Sequence, residues 1–254
     1  MDKTSWLNLP SLSFPVKTLF TGYLMVTGLG LLMAGAQIML THGMADGKFG
    51  LSVNDIVYSY YGNRTGTTLE AKLNGSMKMN APPQERFTLI QWARDGAPKS
   101  EWEPKIKPIV DQYCAKCHGK LAGIPDLPKY DVIKLFAKVD HGATEASMVR
   151  VAHIHLFGIS FIFFFVGLIF SMSVGWNRWV KGVLIFIPFA FLVVDVASWW
   201  LTKWNPEFAW FVIIGGFGYS LASTIMIFTS LYQMWIMPWR GKSSDENTWH
   251  VDAA

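Results

Sequence analysis

Residues 151–175 read VAHIHLFGISFIFFFVGLIFSMSVG, a stretch without a single Asp, Glu, Lys or Arg. About 20 predominantly apolar helical residues span the ~30 Å hydrocarbon layer of a membrane, so this run is long enough to cross one. Working outward, three more stretches of similar character stand at 18–40, 182–201 and 209–236, and the third of the four holds one acid, Asp195. Pro188 and the Gly215-Gly216 pair fall inside these runs. Neighbouring helices in a bundle can satisfy the backbone groups such residues free, so they do not count against spanning. The fold class expected is mostly α, with four transmembrane helices and a bilayer as the first partner.

Hydrophobic residues make up 51% of the 254-residue chain and charged ones only 16%, too apolar and charge-poor for an ordinary soluble domain. The charges are also unevenly placed, since 27 of the 40 fall within residues 43–150. The expected organisation is an N-terminal segment with the first helix (1–42), an inserted water-soluble domain (43–150), three further membrane helices (151–237) and a tail (238–254). The inserted domain carries 15 Lys/Arg against 12 Asp/Glu with no basic run, which argues against nucleic acid as a partner.

Basic residues set the orientation. Lys3 and Lys17 precede the first run, Arg178 and Lys181 separate the second and third, and Arg240 and Lys242 follow the fourth. All lie on one side, which the positive-inside tendency makes cytoplasmic. Both termini are then cytoplasmic, and residues 43–150 face the periplasm of a bacterial-type inner membrane. Cleavage of the first run as a signal peptide, near Ala34-Gly35-Ala36, is disfavoured because the run exceeds the usual 7–15 residues of such a segment. Trp176, Trp179, Trp199, Trp200, Trp204 and Trp239 lie near the run ends, where they are expected to act as interfacial anchors.

The inserted domain reads as short helices. One covers 53–61, a second opens at Pro82-Pro83 and closes at Gly96, and a third, capped by Ser100, runs through Ile106 and Val110 to Tyr113. A fourth covers 128–139, with Val132, Leu135 and Phe136 as its apolar face.

The two cysteines of the chain stand in Cys114-Ala115-Lys116-Cys117-His118, a C-x-x-C-H pattern. On one helical turn, two thiols three apart can reach the two vinyl groups of one porphyrin while the next imidazole meets the iron. A zinc site would need further ligands nearby, and a redox dithiol would need a βαβ setting. Over residues 67–140 the chain resembles the mono-haem cytochrome c family. Asn74-Gly75-Ser76-Met77-Lys78-Met79-Asn80-Ala81-Pro82-Pro83, followed by the helix through Trp92 to Gly96-Ala97, is similar to the part that closes such domains. It comes before C-x-x-C-H here rather than after, as in a circular permutation. The resemblance implies one covalent haem c per chain, with Cys114 and Cys117 as its anchors and His118 as an iron ligand. Met79 is the favoured sixth ligand, with Met77, His141 and Met148 as alternatives.

A second constellation gathers at one end of the spans: His42, His153, His155 and Asp195. An ionisable group inside a membrane is costly, which makes it either paired or functional. A structural pair between Asp195 and His155 or His153, a quinol site and a second cofactor (haem b or copper) all remain open. The function expected is one-electron transfer at the periplasmic face, with redox proteins and further membrane subunits as partners. Quinol oxidation inside the bundle, with electrons passing to the c haem, is the alternative.

Overall fold

The structure is a computed structural model that describes residues 7–41, 43, 45–46, 48, 50–119, 121–246 and 248–249. Among these the chain is mostly helical, and its only β pairing is a single bridge between Thr67 and Val139. The helices are α1 (Phe14–Thr41), α2 (Val53–Tyr60), α3 (Thr68–Asn74), α4 (Pro83–Arg94), α5 (Lys107–Tyr113), α6 (Ala115–His118), α7 (Tyr130–Ile133), α8 (Glu145–Ser171), α9 (Arg178–Trp204) and α10 (Ala209–Leu231). Four of them, α1, α8, α9 and α10 with its extension, are long and apolar enough to cross a membrane. The chain divides into two compact units, Met1–Gly35 with Val149–Ser198 and Phe211–Ala254, and Ala36–Met148 with Trp199–Trp210.

In the first unit, large apolar side chains point outward along every span, including Val26 and Leu32 on α1, Phe161 on α8, Phe186 on α9 and Phe217 on α10. A water-soluble bundle could not expose them, whereas lipid is as apolar as they are. The buried side chains gather instead where α1 starts, α8 ends and α10 ends, around Leu9, Leu24, Phe170, Met226 and Met234. Polar groups stitch this end. Gln233 holds Val174 twice, accepting from its N–H at 2.8 Å and donating to its carbonyl at 2.9 Å. Lys181 donates to the carbonyls of Ser171 and Ser173, which supplies partners for groups that a helix end leaves without any.

The α9–α10 contact depends on glycine. A Cβ on Gly215 would stand 2.8 Å from the Cβ of Asp195 and 3.0 Å from its backbone N and Cα. One on Gly218 would sit 2.5 Å from the Phe191 ring. Small residues at these positions let the two backbones approach closely, as membrane helices do where no hydrophobic drive holds them together.

The second unit has its own core, built from Leu69, Leu73, Leu89, Trp92, Trp102 and Ile106 among others. Helix α2 starts with a capping box, in which the Ser52 side chain accepts from the Asp55 N–H and the Asp55 carboxylate accepts from the Ser52 N–H. Pro83 opens α4 in the first turn, where a missing N–H costs nothing. Three local expectations fail. Ser100 caps nothing, because Pro104 and Pro108 cannot donate to a regular ladder and the chain runs through a 3₁₀ turn and a π turn (Trp102–Ile106) into α5. In the segment after Lys129 the buried side chain is Ile133, not Leu135, which is 59% exposed. Trp199 is not an interfacial anchor but is buried and stacked on Tyr60 at 5.7 Å.

Gly215→Ala is expected to lower the thermal midpoint in detergent, since crowding a packed backbone costs about 1–3 kcal/mol. Gly216→Ala, whose new Cβ would meet only the Tyr219 hydroxyl at 3.7 Å, should leave it unchanged or raise it. Equal midpoints for the two variants would contradict this packing.

Candidate metal centre

Cys114, Cys117 and His118 sit on one tight turn at the end of α5. The Cys117 and His118 N–H groups both donate to the Cys114 carbonyl, at 3.2 and 2.9 Å. The turn follows directly from α5, whose Ile109 and Val110 are buried in the core of the second unit. Cys114 packs against that core, Cys117 is exposed, and the two thiols are not joined. Gly119 continues the turn, and a Cβ there would come within 3.1 Å of the Ala115 carbonyl.

The His118 ring is held from one side. Its Nδ1 lies 3.0 Å from the Pro125 carbonyl, which can only accept, so Nδ1 carries the proton. The lone pair is thereby placed on Nε2, the arrangement that orients an imidazole toward a metal. Leu121 and Ile124 in the same loop are exposed.

No three His, Cys, Asp or Glu side chains among the described residues converge to hold a bare metal ion. The turn therefore does not fit a naked cation. One imidazole beside two thiols is the donor set that a metal carried in its own ring of ligands would use.

Met77 and Met79 lie together on the 3₁₀ turn Lys78–Asn80 and its cap, between α3 and α4. Met79 is 85% exposed, whereas the Met77 sulfur accepts from the Asn80 side chain at 3.3 Å. After this turn α4 buries Leu89, Trp92 and Ala93 in the same core as Ile106 and Val110 of the segment that leads to Cys114. Trp92 donates through Nε1 to the Pro98 carbonyl, and Ala97 takes a positive φ of 55°. Met148 is buried near the start of α8, and His141 lines a separate concavity with Arg64 and Lys203.

Of the membrane constellation, His42 lies outside the described residues. His153 is exposed and tilts against Phe157 at 5.1 Å. His155 is half-buried and donates from Nδ1 to the Val151 carbonyl at 3.0 Å. Asp195 is buried, its backbone pressed against Gly215, and Tyr219 follows Gly215 by one helical turn on α10. Tyr219 escaped the sequence reading, although its spacing from Gly215 places both on one face. Pro125 escaped it too; a proline in the loop after the motif was the available signal.

A family model described as a transmembrane helical domain matches residues 108–241. The chain belongs to that family. It is a multi-pass membrane protein whose family-matching region runs from the segment before Cys114 through α8, α9 and α10. No curated protein and no solved structure matches the chain.

Burial pushes the Cys114 thiol up from its ordinary value. The thiolate is the nucleophile, so at neutral pH less of Cys114 is in the reactive form. In haem-free protein, the remaining thiol of a Cys117→Ser chain should label with a maleimide more slowly than that of a Cys114→Ser chain. Identical rates would contradict the burial of Cys114.

Proposed function

We propose that this protein is a membrane-anchored c-type cytochrome that passes single electrons at the periplasmic face of a bacterial inner membrane, as a subunit of a larger redox complex. The observation that carries the reading is the Cys114–His118 turn, with its imidazole fixed through Nδ1 by the Pro125 carbonyl. Cys114 and Cys117 hold one haem covalently, and His118 binds its iron through Nε2. The haem supplies reversible one-electron chemistry when bound.

The chain's own residues orient the group and shield it. Leu121 and Ile124 would gain an apolar surface to cover, and the exposed thioether of Met79 would serve as a further iron ligand. Basic residues at one end of the spans support the orientation, with Lys17, Arg178, Lys181, Arg240 and Lys242 toward the cytoplasm. Three helices beyond the one needed as a tether support a partner subunit in the membrane.

The purified protein should show one haem c by its pyridine haemochrome spectrum. Haem staining on a denaturing gel should vanish when Cys114 and Cys117 are both changed to Ala. Covalent haem that persists in the double variant overturns the assignment.

One observation favours a second reading, in which quinol is oxidised within the bundle and the electrons pass to the haem. Asp195 is a buried carboxylate within a span, at a cost of about 2.5–3.5 kcal/mol on insertion scales. In that reading Asp195 and His155 take up protons as electrons leave, with haem b or copper as the competing use of the same histidines. Asp195→Asn should then slow haem reduction by a quinol analogue while the haem spectrum and fold persist. Loss of stability with an unchanged reduction rate makes Asp195 structural.

A further inference from the structure

The second unit contains a concavity of about 460 Å³ lined by Arg64, His141, Glu145, Trp200, Lys203 and Trp204. Its size lies within the range of small-ligand sites. Lys203 is fixed by donating to the carbonyls of His141 and Ala143, at 2.9 and 2.7 Å. Arg64 lies over the Tyr61 ring at 3.6 Å and donates through Nη2 to the Lys203 carbonyl at 3.2 Å. Its Nη1 keeps its donors for a ligand.

Three formal charges therefore share one concavity: two cations held in place by backbone carbonyls and a ring, and one carboxylate. No ion pair among the described residues involves any of the three. Two cations alone would suit any phosphate, but Glu145 would repel a simple anion. The pattern complements a molecule that carries a phosphate and an ammonium a short chain apart.

Position selects the source. Trp200, Lys203 and Trp204 are the last residues of a spanning helix, and Trp204 is 77% exposed. Tryptophan and lysine at a span end mark the headgroup level of the bilayer. Phosphate there is presented by lipid. We propose that this concavity binds the headgroup of a zwitterionic phospholipid, its phosphate on Arg64 and Lys203 and its ammonium on Glu145, with the Trp200 and Trp204 rings along the glycerol. The bound lipid would occupy charges that the chain leaves unpaired and would fix the end of α9 at its depth.

The test uses the full-length protein, purified in detergent and stripped of lipid, then given phosphatidylethanolamine, phosphatidylglycerol or inorganic phosphate. Binding is read by native mass spectrometry and by the thermal midpoint. Phosphatidylethanolamine should bind more tightly than phosphatidylglycerol, and inorganic phosphate should not displace it. Glu145→Gln, a nearly isosteric change at an exposed position, should weaken phosphatidylethanolamine about tenfold and reverse the preference. Arg64→Gln should weaken both lipids by a similar factor. The proposal is overturned if the unmodified chain binds phosphatidylglycerol at least as well. It is also overturned if inorganic phosphate competes fully, or if Glu145→Gln keeps the original preference.

Discussion

The geometry of the second unit depends on one close backbone contact. A Cβ on Gly142 would lie 2.4 Å from the Tyr60 carbonyl, and one on Gly62 would lie 2.3 Å from the Gly142 N. Only glycine fits either place, and both residues take a positive φ, 86° at Gly62 and 67° at Gly142. Around this contact the Asp140 carboxylate accepts from the N–H groups of Asn63 and Gly142, Ala143 N–H donates to Ser59, and Thr68 N–H donates to Lys138. The outgoing and returning chain are thus closed into a ring. Everything between them, including the methionine turn, α4 and the Cys114–His118 turn, is built within that closure. It lets a domain of short helices keep one core without a sheet to organise it.

The membrane part solves a different problem. Burial stabilises little where the surroundings are already apolar, so the first unit relies on close backbone approach and on polar ties at its end. Gly215 and Gly218 supply the first. Gln233, Lys181 and Asn8 supply the second, with Asn8 donating to the carbonyls of Ser244 and Glu246. Ser244 and Glu246 are thereby tied to the start of the chain.

What the sequence revealed follows from where one signal dominates. Long apolar runs leave little freedom of interpretation, so the four spans were legible, as were the helix opening at Pro83 and the one over α2. Helix α3 was missed because its apolar pair, Leu69 and Leu73, is separated by polar residues and the helix is only seven residues long. The turn through Trp102–Ile106 escaped because Ser100 and the apolar residues Ile106 and Val110 read as a capped helix, whereas Pro104 and Pro108 lack the N–H groups that a regular ladder needs. Trp199 looked like an anchor from its place in the run; its stacking partner Tyr60 is far away in sequence. Within the candidate centre, Cys114, Cys117 and His118 were legible as a pattern. The Pro125 carbonyl was not, because no pattern specifies a backbone acceptor. Arg64 gave no signal at all, since the concavity it lines is closed by residues distant in sequence, from His141 to Trp204.

The extent of the family match bears on how the proposed centre is assembled. The matched region, 108–241, holds both cysteines, His118, Pro125, the two histidines of α8 and Asp195, whereas Met77 and Met79 lie before it. The two cysteines and the imidazole of the proposed centre thus belong to the same region as α8, α9 and α10, and a methionine ligand would come from outside that region. Axial ligand identity is among the strongest controls a protein has over haem potential. In the proposed cytochrome, the segment that anchors the haem and the segment that tunes it are therefore separate parts of the chain. They are joined by one core, in which Leu89 and Trp92 after the methionine turn pack with Ile106 and Val110 before the cysteines. Because that core is shared and Cys114 packs against it, a substitution that loosens Trp92 would disturb the methionine turn and the cysteine turn together.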